Sequence, residues 1–133
     1  MPTALLLIAH GSRRPEANAD LEHLAGVLRE RGEYLHIQPS YLELCEPGIM
    51  AGGDRCVAAG ATHVVMVPYF LSAGMHVTED LTQKRNELAT RYPAVEFVLA
   101  EPLGRHQLLA EIVIERARAI TLHPGTRTHS DQR

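Results

Sequence analysis

The chain has no tryptophan, only two phenylalanines and only two cysteines among its 133 residues. Cys45 and Cys56 make no CxxC pair and no disulfide framework, so they read as small apolar residues of a reducing compartment. No long hydrophobic run is present. The opening stretch from Ala4 to Ala9 is too short to cross a bilayer, and it lacks the basic flank of a signal peptide. A soluble, cytoplasmic protein is expected, with no membrane partner. Thirteen basic against sixteen acidic residues leave a formal charge of −3, which supplies no basic footprint for a dedicated nucleic-acid binder. GxGxxG, the phosphate loop GxxxxGKS/T and HExxH are all missing, so dinucleotide, P-loop and zincin chemistry have no residue support. Ten glycines and eight prolines are ordinary usage, and 45% hydrophobic content is enough for one proper core.

What the chain does have is eight histidines. Their meaning depends on where the fold puts them. Thr3–Ala9 is almost wholly apolar, the mark of a strand covered on both faces. Residues 15–31 carry Leu21, Leu24, Ala25 and Leu28 at helical spacing, with Pro15 suited to the first turn and Gly32 to the stop. Residues 35–44 read as a second strand, which Pro39 assigns to a sheet edge because it cannot donate a ladder hydrogen bond. A helix over 47–60, a strand over 63–70, a helix over 76–92, a strand over 95–100 and a helix over 105–120 follow. Residues 1–120 are expected to form a single α/β domain, and 121–133, which lack an apolar pattern, a disordered tail. One helix between successive strands, with right-handed crossovers, gives a four-stranded parallel sheet with helices on both faces. The edge position of the second strand fits the flavodoxin-like order 2-1-3-4.

Ligands of such sheets bind beyond the carboxyl ends of the strands, where the strand order reverses. That rule selects His10 after the first strand, Glu43 after the second and His76 after the third, with Glu101 and His106 after the fourth. His23, His36 and His63 read as structural or surface groups, and His123 and His129 lie in the tail. Neutral imidazole binds divalent cobalt, iron, nickel or zinc, and it also takes protons near neutral pH. No closely spaced third and fourth ligand of a structural zinc site is present. Two imidazoles and a carboxylate suit a metal that is held briefly and handed on. Arg13 and Arg14 sit on the same rim and suit carboxylate recognition. Gly11 and Ser12 can offer backbone N–H groups to an anion, while Ser12 beside His10 lacks the GxSxG elbow of a nucleophile.

AHGSR after the first strand, LELCEP after the second, VPYFLSAGMHVTEDL after the third and EPLGRH after the fourth resemble the class II chelatases that act on sirohydrochlorin. These are the cobaltochelatases of cobalamin synthesis and the ferrochelatases of sirohaem synthesis. The likeness runs from Thr3 to about Ile120. It departs at Gly48, where the family commonly has a hydroxyl residue, and at Leu81-Thr82, where it often has Ile-Pro. The resemblance implies metal-site histidines at His10 and His76, an acidic partner at Glu43 and ATP-independent insertion of cobalt, iron or nickel. The metal is then a substrate, and no permanently bound cofactor is implied. The other substrate would be a reduced, carboxylate-rich, metal-free tetrapyrrole, met by Ser12, Arg13, Arg14 and Arg105 and walled by Tyr69, Phe70, Leu71 and Met75. A homodimer is also implied, because chains of this length resemble one half of the two-lobed enzymes. A flavodoxin-like module that carries metal or tetrapyrrole without turnover is the alternative.

Overall fold

The computed structural model describes residues 1–121, in two compact units: Met1–Leu103, and the segment that starts at Gly104. The expected tail, except for Thr121, lies outside the described residues. In the first unit the elements are β1 (Thr3–Ala9), α1 (Pro15–Arg31), β2 (His36–Tyr41), α2 (Ile49–Ala58), β3 (His63–Pro68), α3 (Met75–Arg91) and β4 (Glu96–Leu99). The strands form one parallel sheet in the order β2-β1-β3-β4. Pro39 does lie on the edge strand.

The apolar run of β1 is explained by burial on both faces. Alternate residues Ala4, Leu6 and Ile8 join Val64, Met66 and Phe97 beneath Ile49 and Cys56 of α2 and Leu81 and Leu88 of α3. The intervening Leu5 and Leu7 join Ile37 and Tyr41 beneath Leu21 and Ala25 of α1. The period-two alternation of a strand makes both cores from one short segment. Gly52 lets α2 approach the sheet closely, since a Cβ there would stand 2.7 Å from Leu6 Cδ1. The α1 face is less complete: Val65 and Val67 are half-buried and Val98 is 45% exposed.

The second strand ends three residues earlier than its sequence pattern suggests. After Tyr41 the chain bends, Leu44 takes a left-handed φ of 66°, and the Tyr41 N–H donates to the Pro47 carbonyl at 3.0 Å. The local hydrogen bond closes a loop where 35–44 alone looked extended. Gly48 caps α2 with no side-chain hydrogen bond, as expected for a glycine in place of a hydroxyl residue. In the second unit, α4 (Gln107–Thr121) carries Leu108, Ile112 and Val113 exposed.

Candidate functional site

The carboxyl ends of β1 and β2 are laced together beyond the ladder. Leu42 N–H donates to the Ala9 carbonyl at 2.9 Å, and Glu43 N–H donates to the His10 carbonyl at 3.1 Å. This brings Glu43 beside His10. Gly11 makes the approach possible: its φ is +95°, and a Cβ there would lie 1.8 Å from the Glu43 carbonyl oxygen. His76 is the second residue of α3, delivered after β3 by the turn through Gly74. His10, Glu43 and His76 together with Leu42, Val77 and Asp80 line one cavity of about 200 Å³.

The His10 ring stacks on Phe70, with centroids 4.6 Å apart and planes tilted by 31°. Phe70 packs against the α2–α3 core, so it gives the imidazole a fixed backing. The side chains of His10, Glu43 and His76 make no hydrogen bond or salt bridge among the described residues. No three histidine, cysteine or acidic side chains among the described residues stand close enough to hold a metal ion. The cavity therefore presents imidazole and carboxylate groups that have no hydrogen-bond or ion-pair partner among the described residues.

His10 also borders a second cavity of about 240 Å³, lined by Gly11, Ser12, Asn18, Asp20, Tyr41 and Tyr69 among others. Asn18 holds its wall in place: its side chain accepts from Ser12 N–H at 3.0 Å and donates to the Ser12 carbonyl at 2.8 Å. The Tyr41 hydroxyl donates to the Asn18 carbonyl at 3.2 Å. Burial, followed by the nearby Cys45 and Glu22, raises the Tyr41 pKa and keeps it a neutral donor.

The remaining sequence-selected residues are dispersed. Ser12 and Tyr69 line the second cavity, and Phe70 backs His10. Leu71 and Met75 are 60% and 76% exposed and border neither cavity. Arg13 is exposed, and Arg14 is engaged with Glu16 at 3.0 Å. Arg105, with φ 54°, belongs to the second unit. There His106 serves as a cap, its Nδ1 accepting the Leu108 N–H at 3.1 Å. Asp80 and Asn18 are among the cavity residues that had not been selected from sequence. Asp80 was legible as the residue one helical turn after His76. Asn18 was not, because its side chain pairs with backbone atoms of Ser12 through the geometry of the turn into α1, which no residue pattern announces.

Residues 4–120 match the CbiX family. The chain belongs to that family. CbiX relatives include a sirohydrochlorin cobaltochelatase of Methanopyrus kandleri, 30% identical, with 86% of this chain and 94% of the relative covered. The chloroplastic sirohydrochlorin ferrochelatase of Arabidopsis thaliana is 33% identical over 90% of this chain but only 53% of its own length. The chain thus spans about half of that relative and nearly all of the archaeal one. Among solved structures, a CbiX protein from Marinobacter aquaeolei superposes with a TM-score of 0.79 at 28% identity, covering 92% of this chain and 99% of its own. The Bacillus subtilis chelatase SirB, in complex with cobalt, superposes with a TM-score of 0.83 at 30% identity, covering 90% of this chain and 51% of its own. The CbiX fold and the parallel order 2-1-3-4 agree with these neighbours.

Proposed function

We propose that this chain inserts a divalent metal ion, cobalt or iron, into sirohydrochlorin without ATP, in cobalamin or sirohaem biosynthesis. The observation that carries the proposal is the shared cavity of His10, Glu43 and His76, at the strand ends of a CbiX-family domain. Insertion exchanges two pyrrole N–H protons for one dication. His10 and His76 bind the ion through their free imidazole nitrogens and release it to the macrocycle. As the ion leaves, their lone pairs become available to protons. Glu43 receives a proton or steadies the cation, and it is free to do so because no donor among the described residues occupies it. Phe70 limits the swing of the His10 ring and supports an apolar wall for the macrocycle.

Ser12, Tyr69, Arg13 and Arg105 are the groups proposed to meet the tetrapyrrole and its carboxylates; Arg14 already has Glu16. Leu71 and Met75, being exposed, would contribute only where the macrocycle lies over the rim. We further propose a homodimer, in which the second copy stands for the second lobe of longer relatives, and a cytoplasmic setting. No described helix is long and apolar enough to cross a membrane. Nickel is accommodated by the same ligand types.

The deciding experiment mixes the full chain with metal-free sirohydrochlorin and excess cobalt and follows the macrocycle's absorption. Many equivalents of product per protein, above the spontaneous rate, are expected. Binding that stops at one equivalent would instead make the domain a carrier.

A further inference from the structure

Asp80 shares the cavity with His10, Glu43 and His76. It follows His76 by four residues on α3, so the two side chains stand one above the other on one helix face. Asp80 is half-buried, yet among the described residues it makes no hydrogen bond or salt bridge. Its carboxylate reaches solvent, since among the described residues no buried side-chain oxygen or nitrogen is without a partner. Asp54, on α2, has two: Arg91 at 2.8 Å and Tyr92 at 2.5 Å. An unpartnered carboxylate directed by its helix to a cavity lined with metal-binding side chains is available to a cation.

We propose that Asp80 captures the hydrated dication and holds it at the site before the imidazoles take it. This rests on the metal-insertion function proposed above. Size and charge support the assignment. The cavity, of about 200 Å³, has room for an ion together with bound water. Among the described residues no three histidine, cysteine or acidic side chains stand close enough to hold a bare ion, which favours an ion that arrives with its water shell. A carboxylate acts on such an ion through bridging water and through its charge. Neutral imidazoles contribute no charge, and Glu43 contributes one negative charge against the two positive charges of the metal. Asp80 supplies the second. Asp80 is thereby a loading residue, and the tetrapyrrole need not be present for its effect to be read.

The test is cobalt binding to the full chain without tetrapyrrole, by equilibrium dialysis at several salt concentrations. Asp80→Asn keeps the shape and removes the charge; Asp80→Glu keeps the charge. Asp80→Asn is expected to weaken cobalt binding about tenfold and to flatten its dependence on salt, with Asp80→Glu recovering most of the loss. In the insertion assay the same change should fall on KM for cobalt and not on kcat. Cobalt affinity within twofold of the parent in Asp80→Asn, or a loss confined to kcat, overturns the assignment. A parent that binds cobalt through Asp80 but never metallates sirohydrochlorin would sink the insertion function and leave this inference standing. A parent that turns over while Asp80→Asn matches it would do the reverse.

Discussion

Two polar regions of this molecule are built in opposite ways. Where α2 meets α3, Arg91 donates to both carboxylate oxygens of Asp54, at 2.8 and 3.0 Å, and the Tyr92 hydroxyl donates to the same carboxylate. At the carboxyl end of the sheet, the side chains of His10, Glu43 and His76 make no such bonds among the described residues. The first region spends its hydrogen bonds inside the protein, tying two helices together. The second withholds them, and its backbone carries the order instead: Glu43 N–H to the His10 carbonyl, and Asn18 to both backbone groups of Ser12. The proposed binding and release of an ion calls for side chains whose partners come from outside, on a frame whose partners come from within.

The widest separation between the two regions should appear in activity. His10→Ala and His76→Ala are each expected to lower sirohydrochlorin metallation by roughly two orders of magnitude or more, as for loss of a proton-transferring group. Their circular dichroism spectra and thermal midpoints should stay near those of the parent, since among the described residues neither ring makes a hydrogen bond or ion pair and only His10 has a ring contact, with Phe70. Near-normal turnover in either variant would remove that residue from the site.

Gly11→Ala attacks the frame instead of the ligands. The new methyl group would meet the Glu43 carbonyl at a backbone φ that side chains rarely adopt. A cost of about 3 kcal/mol is expected, which corresponds to a thermal midpoint lower by on the order of 10 °C. Unlike the histidine variants, this one should lose stability and activity together. Unchanged stability would show that the β1–β2 lacing is dispensable.

Asp54→Asn is the smallest of the three and reads in pH. The Tyr92 hydrogen bond is the main cause of a carboxyl pKa held below the ordinary aspartate value, with Arg91 adding to it against the opposing effect of burial. A depressed folded value contributes stability that is present above the unfolded pKa, near 3.9, and is lost as pH falls through the folded one. The parent should therefore lose stability more steeply than Asp54→Asn below about pH 4. The pair is partly exposed to water, so the difference is small, and metallation should be unaffected. A matched acid limb in chemical unfolding would show that the α2–α3 seam contributes nothing through this carboxylate.

Sequence alone determined the alternation of strands and helices, because apolar periodicity and the Pro15 and Gly32 signals are local. It also determined the edge position of Pro39, a consequence of its missing N–H, and from that the reversal of strand order that marks His10, Glu43 and His76. Those residues were legible because strand ends are set by pattern and the binding rim is set by topology. What remained was a matter of separation in space. Leu71 and Met75 look like wall residues by type but stand exposed, and only packing decides which side of a turn an apolar residue faces. His106 shares its residue type with the proposed metal ligands but caps a helix, because a backbone N–H was within its reach. Asn18 supports the His10 loop because the turn into α1 brings Ser12, six residues earlier, within reach of its side chain, and Asp80 has no donor packed beside it among the described residues. Sequence carries periodicity and residue chemistry; whether a polar group is spent inside the fold or left for a ligand depends on which segments the tertiary structure brings within a hydrogen bond's length.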